Sequence, residues 1–137
     1  MGCLFCKISQ KEIKAAIIAE NEGAVAILDI NPVSDGHTLL ITKKSPPEKP
    51  HFANISEVDE ESWKYLLPLM KDVITKLETV FQPSGFNIIS NMNEIAAQSI
   101  FHLHIHIIPK YAENEGFIWT ARPHLKYELE QVAKKLK

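Results

Sequence analysis

The segment Phe101-His-Leu-His-Ile-His-Ile-Ile108 alternates strictly between apolar residues and histidines. A period of two is the pattern of a β-strand with two different faces. The imidazoles of His102, His104 and His106 therefore point to one side of the strand, and the apolar side chains point to the other. Core packing gives no reason for three histidines on one face, whereas catalysis and metal binding both use this side chain. We therefore expect a functional site on this strand.

The composition excludes several classes of protein. The 137 residues, 45% of them hydrophobic, suit one globular domain with its own core. A net charge of -2 gives no broad positive field for nucleic acid or an anionic membrane. The single arginine, Arg122, argues against a bidentate arginine clamp on phosphate within one chain. No apolar run reaches the roughly 20 residues of a membrane span. The first residues also lack a signal-peptide pattern, so we expect a cytoplasmic protein.

The remaining sequence predicts an α+β protein with a mostly antiparallel sheet of about five strands and one main helix. Hydrophobic periodicity and turn residues place the strands at 15–19, 24–30, 37–42, 85–90 and 101–108. Short helices are expected near both ends of the chain, at 3–9 and 125–137. The proline-rich segment 43–54 must be a loop.

Three residues set the expected boundaries of the main helix and of the histidine strand. Ser56 is the expected N-cap of the helix, with Asp59 completing a weak capping box. Pro68 should kink or break this helix, because proline removes a helical donor. Pro109 should end the histidine strand for a similar reason, since it cannot donate to a β-ladder.

The run from His102 to Ile108 resembles the motif of the histidine triad family, His-φ-His-φ-His-φ-φ, where φ is apolar. Four further blocks match the Hint branch of that family, in its order: Cys3-Leu-Phe-Cys-Lys-Ile8, Leu28-Asp-Ile-Asn-Pro32, Gly36-His-Thr-Leu-Leu-Ile41 and Gln98-Ser99. The resemblance implies one HIT domain over 1–137, with a family-variable segment at about 111–137. It also implies a homodimeric hydrolase that binds purine nucleotides, such as AMP or its phosphoramidate, and cleaves the P–N bond at the α-phosphate.

Four residues match the catalytic positions of the family. His104 stands where the family has its nucleophile, which would form a covalent nucleotidyl-histidine intermediate. His106 would contact the phosphate and assist proton transfer to the leaving amine. His37 would hold the orientation and tautomer of the nucleophile through a hydrogen-bonded relay. Ser99 would hydrogen-bond the leaving-group atom or a phosphate oxygen.

The resemblance also implies a nucleotide-binding surface. Asp29 aligns with the acidic residue that grips the ribose hydroxyls, although a carboxylate at a strand end also commonly caps a turn. An apolar wall around the purine is expected from Phe5, Ile8, Ile27 and Ile30. The phosphate and ribose are expected to meet Asn91, Ala97, Gln98, Ser99, His104 and His106.

The chain departs from the family pattern at three positions. Ala97 precedes Gln98-Ser99 where glycine is usual, and its methyl group could crowd a backbone that approaches phosphate. Asn93 stands at another common glycine position, where we expect a mild effect because asparagine tolerates positive φ. Thr42 replaces a frequent proline. These changes bear on the rate and the substrate fit more than on the class of reaction.

The two cysteines, Cys3 and Cys6, form a Cys-x-x-Cys pair that in a reducing compartment indicates metal binding or redox chemistry. Two cysteines cannot close a tetrahedral zinc site without histidines. Many microbial relatives hold a structural zinc through such a pair, the first triad histidine and one more histidine. If residues 45–50 are an insertion, His51 falls into register, and the resemblance then implies a site of Cys3, Cys6, His51 and His102. No catalytic metal is expected.

Three alternatives remain open at this point. Dinucleoside polyphosphate hydrolases and nucleotidyl transferases share the triad and its covalent chemistry. The triad could instead hold a catalytic zinc, because histidines at i and i+2 on a strand can bind one metal together with a third ligand. A non-catalytic nucleotide-binding scaffold is the third alternative. Chelation and a comparison of substrates would discriminate among them.

Overall fold

The structure is a computed structural model that describes residues 2–122 and 126–137. Five antiparallel strands form one sheet in the order β1-β2-β3-β5-β4: β1 (Ile17–Glu20), β2 (Ala24–Leu28), β3 (Thr38–Thr42), β4 (Gly85–Ile89) and β5 (His104–Lys110). Three helices accompany it: α1 (Leu4–Ser9), α2 (Glu60–Phe81) and α3 (Leu129–Leu136). This arrangement confirms the predicted α+β class. Within the described ranges, no helix is both long enough and apolar enough to cross a bilayer.

One face of the sheet packs against α2 and forms the main core. The apolar side chains of the histidine run, Leu103, Ile105 and Ile107, are buried there. They belong to one cluster with the inward residues of the helix, Leu66, Leu69, Val73 and Leu77. The predicted alternation is therefore confirmed, because the neighbouring histidines lie on the other face.

The opposite face of the sheet carries the histidines and is only partly covered. A second apolar cluster lies on it, formed by Val25, Ile27, Leu39 and Ile41. Phe5 and Ile8 from the short helix α1 complete this cluster. Because α1 is only 6 residues long, part of the face remains open beside it.

The start of the main helix differs from the prediction. Asp59, and not Ser56, is the N-cap, and its carboxylate accepts a hydrogen bond from the amide of Ser62 at 2.8 Å. Ser56 instead hydrogen-bonds the side chain of Asn54. Pro68 does not break α2, which continues over 22 residues. Packing of the inward face of the helix on the sheet offsets the lost hydrogen bond.

The histidine strand is displaced toward its C-terminal end relative to the prediction. It begins at His104, because the amide of Leu103 donates to the carbonyl of Phe52 and not to a strand. It continues through Pro109, which lies opposite Phe86. The ladder with β3 ends at Ile107, so Pro109 has a strand neighbour on one side only, as a proline requires.

The C-terminal helix α3 is shorter than predicted. Its N-cap is Glu128, which forms a capping box with Gln131. The predicted start, Leu125, lies outside the described residues.

Candidate functional site

The ring of His104 is fixed by the main chain beside it. Its Nδ1 lies 2.7 Å from the carbonyl oxygen of His102. Because a carbonyl oxygen only accepts, Nδ1 carries the proton, and Nε2 of the neutral ring keeps its lone pair. The ring is buried, but it lines a cavity on the open face of the sheet. His104 therefore presents an unprotonated nitrogen at a fixed position.

A second chain of hydrogen bonds fixes the ring of His106. The amide of Val33 donates to Nδ1 of His37 at 3.2 Å, so Nε2 of neutral His37 carries the proton. This Nε2 lies 2.9 Å from Nδ1 of His106, which accepts. The remaining nitrogen of His106, Nε2, is then a donor. The structure thus places His37 against His106, and the relay through which His37 would act on His104 stays a prediction.

Burial keeps these imidazoles neutral. Desolvation lowers the pKa of His106 to about 4, and the neighbouring His104 and His37 act in the same direction. Desolvation also lowers the pKa of His104 and of His37, although the carboxylate of Asp29 opposes the shift at both. Nε2 of His37 lies 3.5 Å from Oδ2 of Asp29. The site therefore offers neutral imidazoles at physiological pH.

The cavity beside these rings has a volume of about 570 Å³, which suits a small-molecule ligand. Its walls include nine of the residues singled out in the sequence: Phe5, Ile8, Ile27, Asp29, Ile30, Ala97, Ser99, His104 and His106. Phe5 packs edge-on against the ring of His104, with 5.0 Å between the ring centroids. Ile30 is almost fully exposed at the rim. The cavity thus combines apolar walls, a carboxylate, a hydroxyl and two imidazoles.

Two residues expected near the nucleotide do not line this cavity. Gln98 is buried, and its side chain ties the loop together through the amide of Asn93 and the carbonyls of Ala53 and Ile100. The side-chain Nδ2 of Asn91 donates to the carbonyl oxygen of Ala97 at 3.4 Å. Both side chains therefore stabilise the loop that carries Ser99.

Several lining residues were not predicted. Leu39 and Ile100 add to the apolar wall. The segment from Ile13 to Ala16, directly before β1, forms the end of the cavity that is farthest from β5. Leu39 could have been found by register, since it stands opposite His106 in the ladder. The segment from Ile13 to Ala16 carries no chemical motif, so no pattern in the sequence indicated that it lines a cavity.

A second cluster joins the N-terminal segment to the histidine run. Ligand atoms of Cys3, Cys6, His51 and His102 all lie within 4.8 Å of one another. Nδ1 of His102 is 3.3 Å from Sγ of Cys3 and 3.5 Å from Sγ of Cys6. Nδ1 of His51 is 3.2 Å from Sγ of Cys6. These four residues could hold a metal ion.

The protonation of the cluster suits a metal ion. Nε2 of His102 donates to the carbonyl of Thr42 at 3.0 Å, and Nε2 of His51 donates to the carbonyl of Phe101 at 2.8 Å. Both rings therefore turn the lone pair of Nδ1 toward the thiols, the arrangement that orients metal-binding histidines. Tetrahedral zinc with ordinary bond lengths separates sulfur and nitrogen ligands by about 3.6 Å, close to the spacing found here.

Comparisons with known proteins agree with this geometry. The HIT domain family model matches residues 10–113. An uncharacterized HIT-like protein of Mycoplasma genitalium is 41% identical over 130 residues, which are 95% of this chain and 88% of that protein. The adenosine 5'-monophosphoramidase of Schizosaccharomyces pombe is 36% identical over 143 residues, with full coverage of both chains. A crystal structure of a HIT family member from Bacillus subtilis has a TM-score of 0.85 and 36% identity, over 99% of this chain and 93% of that one.

The chain therefore belongs to the HIT family, and its fold is that of the solved HIT structures. The prediction of a Hint-like histidine triad protein is confirmed.

Proposed function

We propose that the protein is a purine nucleoside phosphoramidase that cleaves the P–N bond at the α-phosphate through a nucleotidyl-histidine intermediate. One observation carries this proposal: the hydrogen bond from His104 to the carbonyl of His102, which leaves Nε2 as the free nucleophilic nitrogen in the cavity. The relative named as an adenosine 5'-monophosphoramidase in fission yeast supports the same reaction.

The proposed chemistry starts from neutral imidazoles, and the ring of His104 becomes cationic only while Nε2 is bonded to phosphorus and Nδ1 keeps its proton. Nε2 of His104 attacks the α-phosphorus, and a new N–P bond forms while the P–N bond to the leaving amine breaks. The departing nitrogen keeps the bonding electron pair and takes the Nε2 proton of His106, which a proton from solvent replaces. Water then attacks the adduct, the N–P bond breaks, and Nε2 of His104 recovers its lone pair. The nucleoside monophosphate leaves with the oxygen of that water, and one proton of the water returns to solvent through His106. Ser99, at the rim of the cavity, would hydrogen-bond the leaving group or a phosphate oxygen.

The remaining walls of the cavity would bind the nucleoside. Asp29 would accept hydrogen bonds from the ribose hydroxyls, and its Oδ1 is already oriented by the amide of Asn31 at 2.8 Å. Phe5, Ile8 and Ile27 would contact the faces of the purine.

We further propose that the cluster of Cys3, Cys6, His51 and His102 binds a structural zinc. Two soft thiolates and two imidazoles suit this ion, and the hydrogen bonds to both rings support the assignment. Zinc at this position would join α1 to the histidine strand and would take no part in the reaction. Burial and the neighbouring Cys3 thiol raise the pKa of Cys6 to about 11, so binding would release protons.

We also propose one HIT domain for the whole chain, with a variable segment at about 111–137, and assembly into a homodimer. The family match over residues 10–113 supports the domain, and the homodimer is what the resemblance to the Hint branch implies. The expected cytoplasmic location stays a prediction.

The decisive experiment compares hydrolysis of adenosine 5'-phosphoramidate by the wild type and by His104→Ala at neutral pH, with and without brief chelation. We expect turnover in the wild type that survives chelation and disappears in His104→Ala. A mass-spectrometric search for the adenylyl adduct, after rapid mixing and quenching, should find it in the wild type only.

Other outcomes would favour the alternatives. Turnover abolished at once by chelation would indicate a catalytic metal, for which Asp29, His37 and His106 bring ligand atoms within 4.8 Å. Faster cleavage of diadenosine polyphosphates would indicate a polyphosphate hydrolase. Tight AMP binding without turnover would indicate a binding protein.

A further inference from the structure

Lys14 is the cationic side chain at the end of the cavity opposite the histidines. It lies in the connection between α1 and β1, and it lines the cavity together with Ile13 and Ala15. The surrounding walls here are apolar, and Lys14 itself is exposed. A charged group at an apolar end of a binding cavity is a candidate for choosing among ligands.

The sheet gives the distance between this end and the histidines. Ile17, Ile27, Leu39 and His106 stand opposite one another on successive strands, from β1 through β2 and β3 to β5. Neighbouring strands are about 4.8 Å apart, so β1 lies roughly 14 Å from β5. A nucleotide whose α-phosphate meets His104 and His106 therefore extends across β3 and β2. The outer edge of its base then points toward Ile13 and Lys14.

The ammonium of Lys14 is available for a ligand. Two nearby lysines, Lys11 and Lys43, both bind the carboxylate of Glu20 at 2.6 Å. Lys14 is different, because no carboxylate of residues 2–122 and 126–137 lies within 4.0 Å of its nitrogen. A neutralising ion pair therefore does not compete with the ligand.

We propose that Lys14 determines base specificity and shifts the preference of the site toward guanosine nucleotides. A lysine ammonium has three donors and no acceptor. A 6-oxopurine offers two adjacent acceptors on one edge, O6 and N7, whereas adenine offers N7 beside an amino group that also donates. Guanine therefore offers the ammonium two hydrogen-bond acceptors. Adenine offers it only one acceptor, beside an amino group whose hydrogens point toward the ammonium. This inference rests on the proposed function, because that function orients the nucleotide in the cavity.

The test measures kcat and KM of the wild type, Lys14→Met and Lys14→Arg for guanosine and adenosine 5'-phosphoramidates. We expect Lys14→Met to raise KM for the guanosine substrate about five- to tenfold, the value of one or two hydrogen bonds, with kcat unchanged. KM for the adenosine substrate should change less than about twofold. Lys14→Arg keeps its donors and should retain the preference. Lys11→Met is the matched control, since its partner is Glu20, and it should change neither substrate.

Calorimetric titration with GMP and AMP separates this inference from the proposed function. If the wild type cleaves neither substrate, the proposed function fails, and the loss of GMP affinity in Lys14→Met still tests the role of Lys14. Equal losses for both nucleotides would overturn the inference, because Lys14 would then contact the phosphate or the ribose. Unchanged affinity for both would overturn it as well.

Discussion

The carbonyl oxygen of His102 accepts a hydrogen bond from Nδ1 of His104, while the ring of the same His102 faces the sulfurs of Cys3 and Cys6. Phe5, between the two cysteines, packs edge-on against both histidine rings. The candidate metal cluster and the proposed nucleophile are therefore joined through one residue. Any disturbance of the cluster should reach both the ring of His104 and the apolar wall of the cavity.

The first prediction concerns this connection. Cys6→Ser should lose the tightly bound metal and weaken AMP binding by about tenfold or more, because α1 loses the ligands that hold Phe5 and Ile8 in place. Elemental analysis of the purified protein and calorimetry with AMP measure the two effects. Gln10→Ala, at the exposed end of the same helix, is the control and should change neither. Full AMP affinity in a metal-free Cys6→Ser protein would contradict the connection.

The second prediction concerns the hydrogen bond between His37 and His106. His37→Phe keeps a ring of similar size but removes the donor that fixes the tautomer of His106. We expect kcat for adenosine 5'-phosphoramidate to fall about 10- to 100-fold, the usual effect of losing such an orienting partner. AMP affinity should change little, since His37 does not line the cavity. Circular dichroism checks folding, and an unchanged kcat in the folded variant would refute this role.

The third prediction concerns pH. The ordinary pKa of histidine is 6.5, and burial lowers the pKa of His106 to about 4. Between these values the unfolded chain binds a proton that the folded protein does not, so the free energy of unfolding decreases as pH falls through this window. His106 should contribute roughly 1–3 kcal/mol of this loss. Urea unfolding at a series of pH values should show a shallower decrease for His106→Gln, and equal slopes would exclude the contribution of His106.

The alternating pattern was enough to predict the two faces of the histidine strand, whereas the grouping of His51 with the cysteines came from the resemblance to the family. The pattern could not predict where the strand begins, because this depends on the contact between Leu103 and the distant carbonyl of Phe52. It also could not predict that Pro109 continues the strand, which depends on where β3 stops pairing. The role of Gln98 could not be predicted either. Its buried side chain binds the backbone amide of Asn93 and the carbonyl of the distant Ala53, and neighbouring residues in the sequence do not indicate these contacts.

The fourth prediction concerns the backbone at Ala97. This residue caps the 3-10 turn Glu94–Ala96 in the left-handed region, with φ 72° and ψ 23°. For a residue with a Cβ this conformation costs about 1–2 kcal/mol. Glycine avoids that cost, but the greater conformational freedom of glycine in the unfolded chain offsets part of the gain. Ala97→Gly should therefore raise the free energy of unfolding by about 0.5–1 kcal/mol, as measured with urea. A lower free energy in Ala97→Gly would mean that this conformation carries no strain.

The fifth prediction concerns Asn93, whose backbone conformation differs from the left-handed helical one on which the expected mild effect was based. Its φ is 73° but its ψ is 160°, so it lies outside the left-handed helical region that asparagine tolerates and in one that is essentially reserved for glycine. Its amide donates to Gln98 Oε1 and its carbonyl accepts from the amides of Ala96 and Gln98, which hold this conformation in place.

Asn93→Gly should raise the free energy of unfolding by about 1–2 kcal/mol, more than Ala97→Gly, because the conformation is less accessible to a side chain. Urea unfolding measures the difference. Ala96→Gly is the matched control in the same loop, since Ala96 has an ordinary negative φ, and it should lower the free energy by about 0.5–1 kcal/mol. If Asn93→Gly and Ala97→Gly lowered the free energy of unfolding as much as Ala96→Gly does, the backbone at Asn93 and Ala97 would be unstrained.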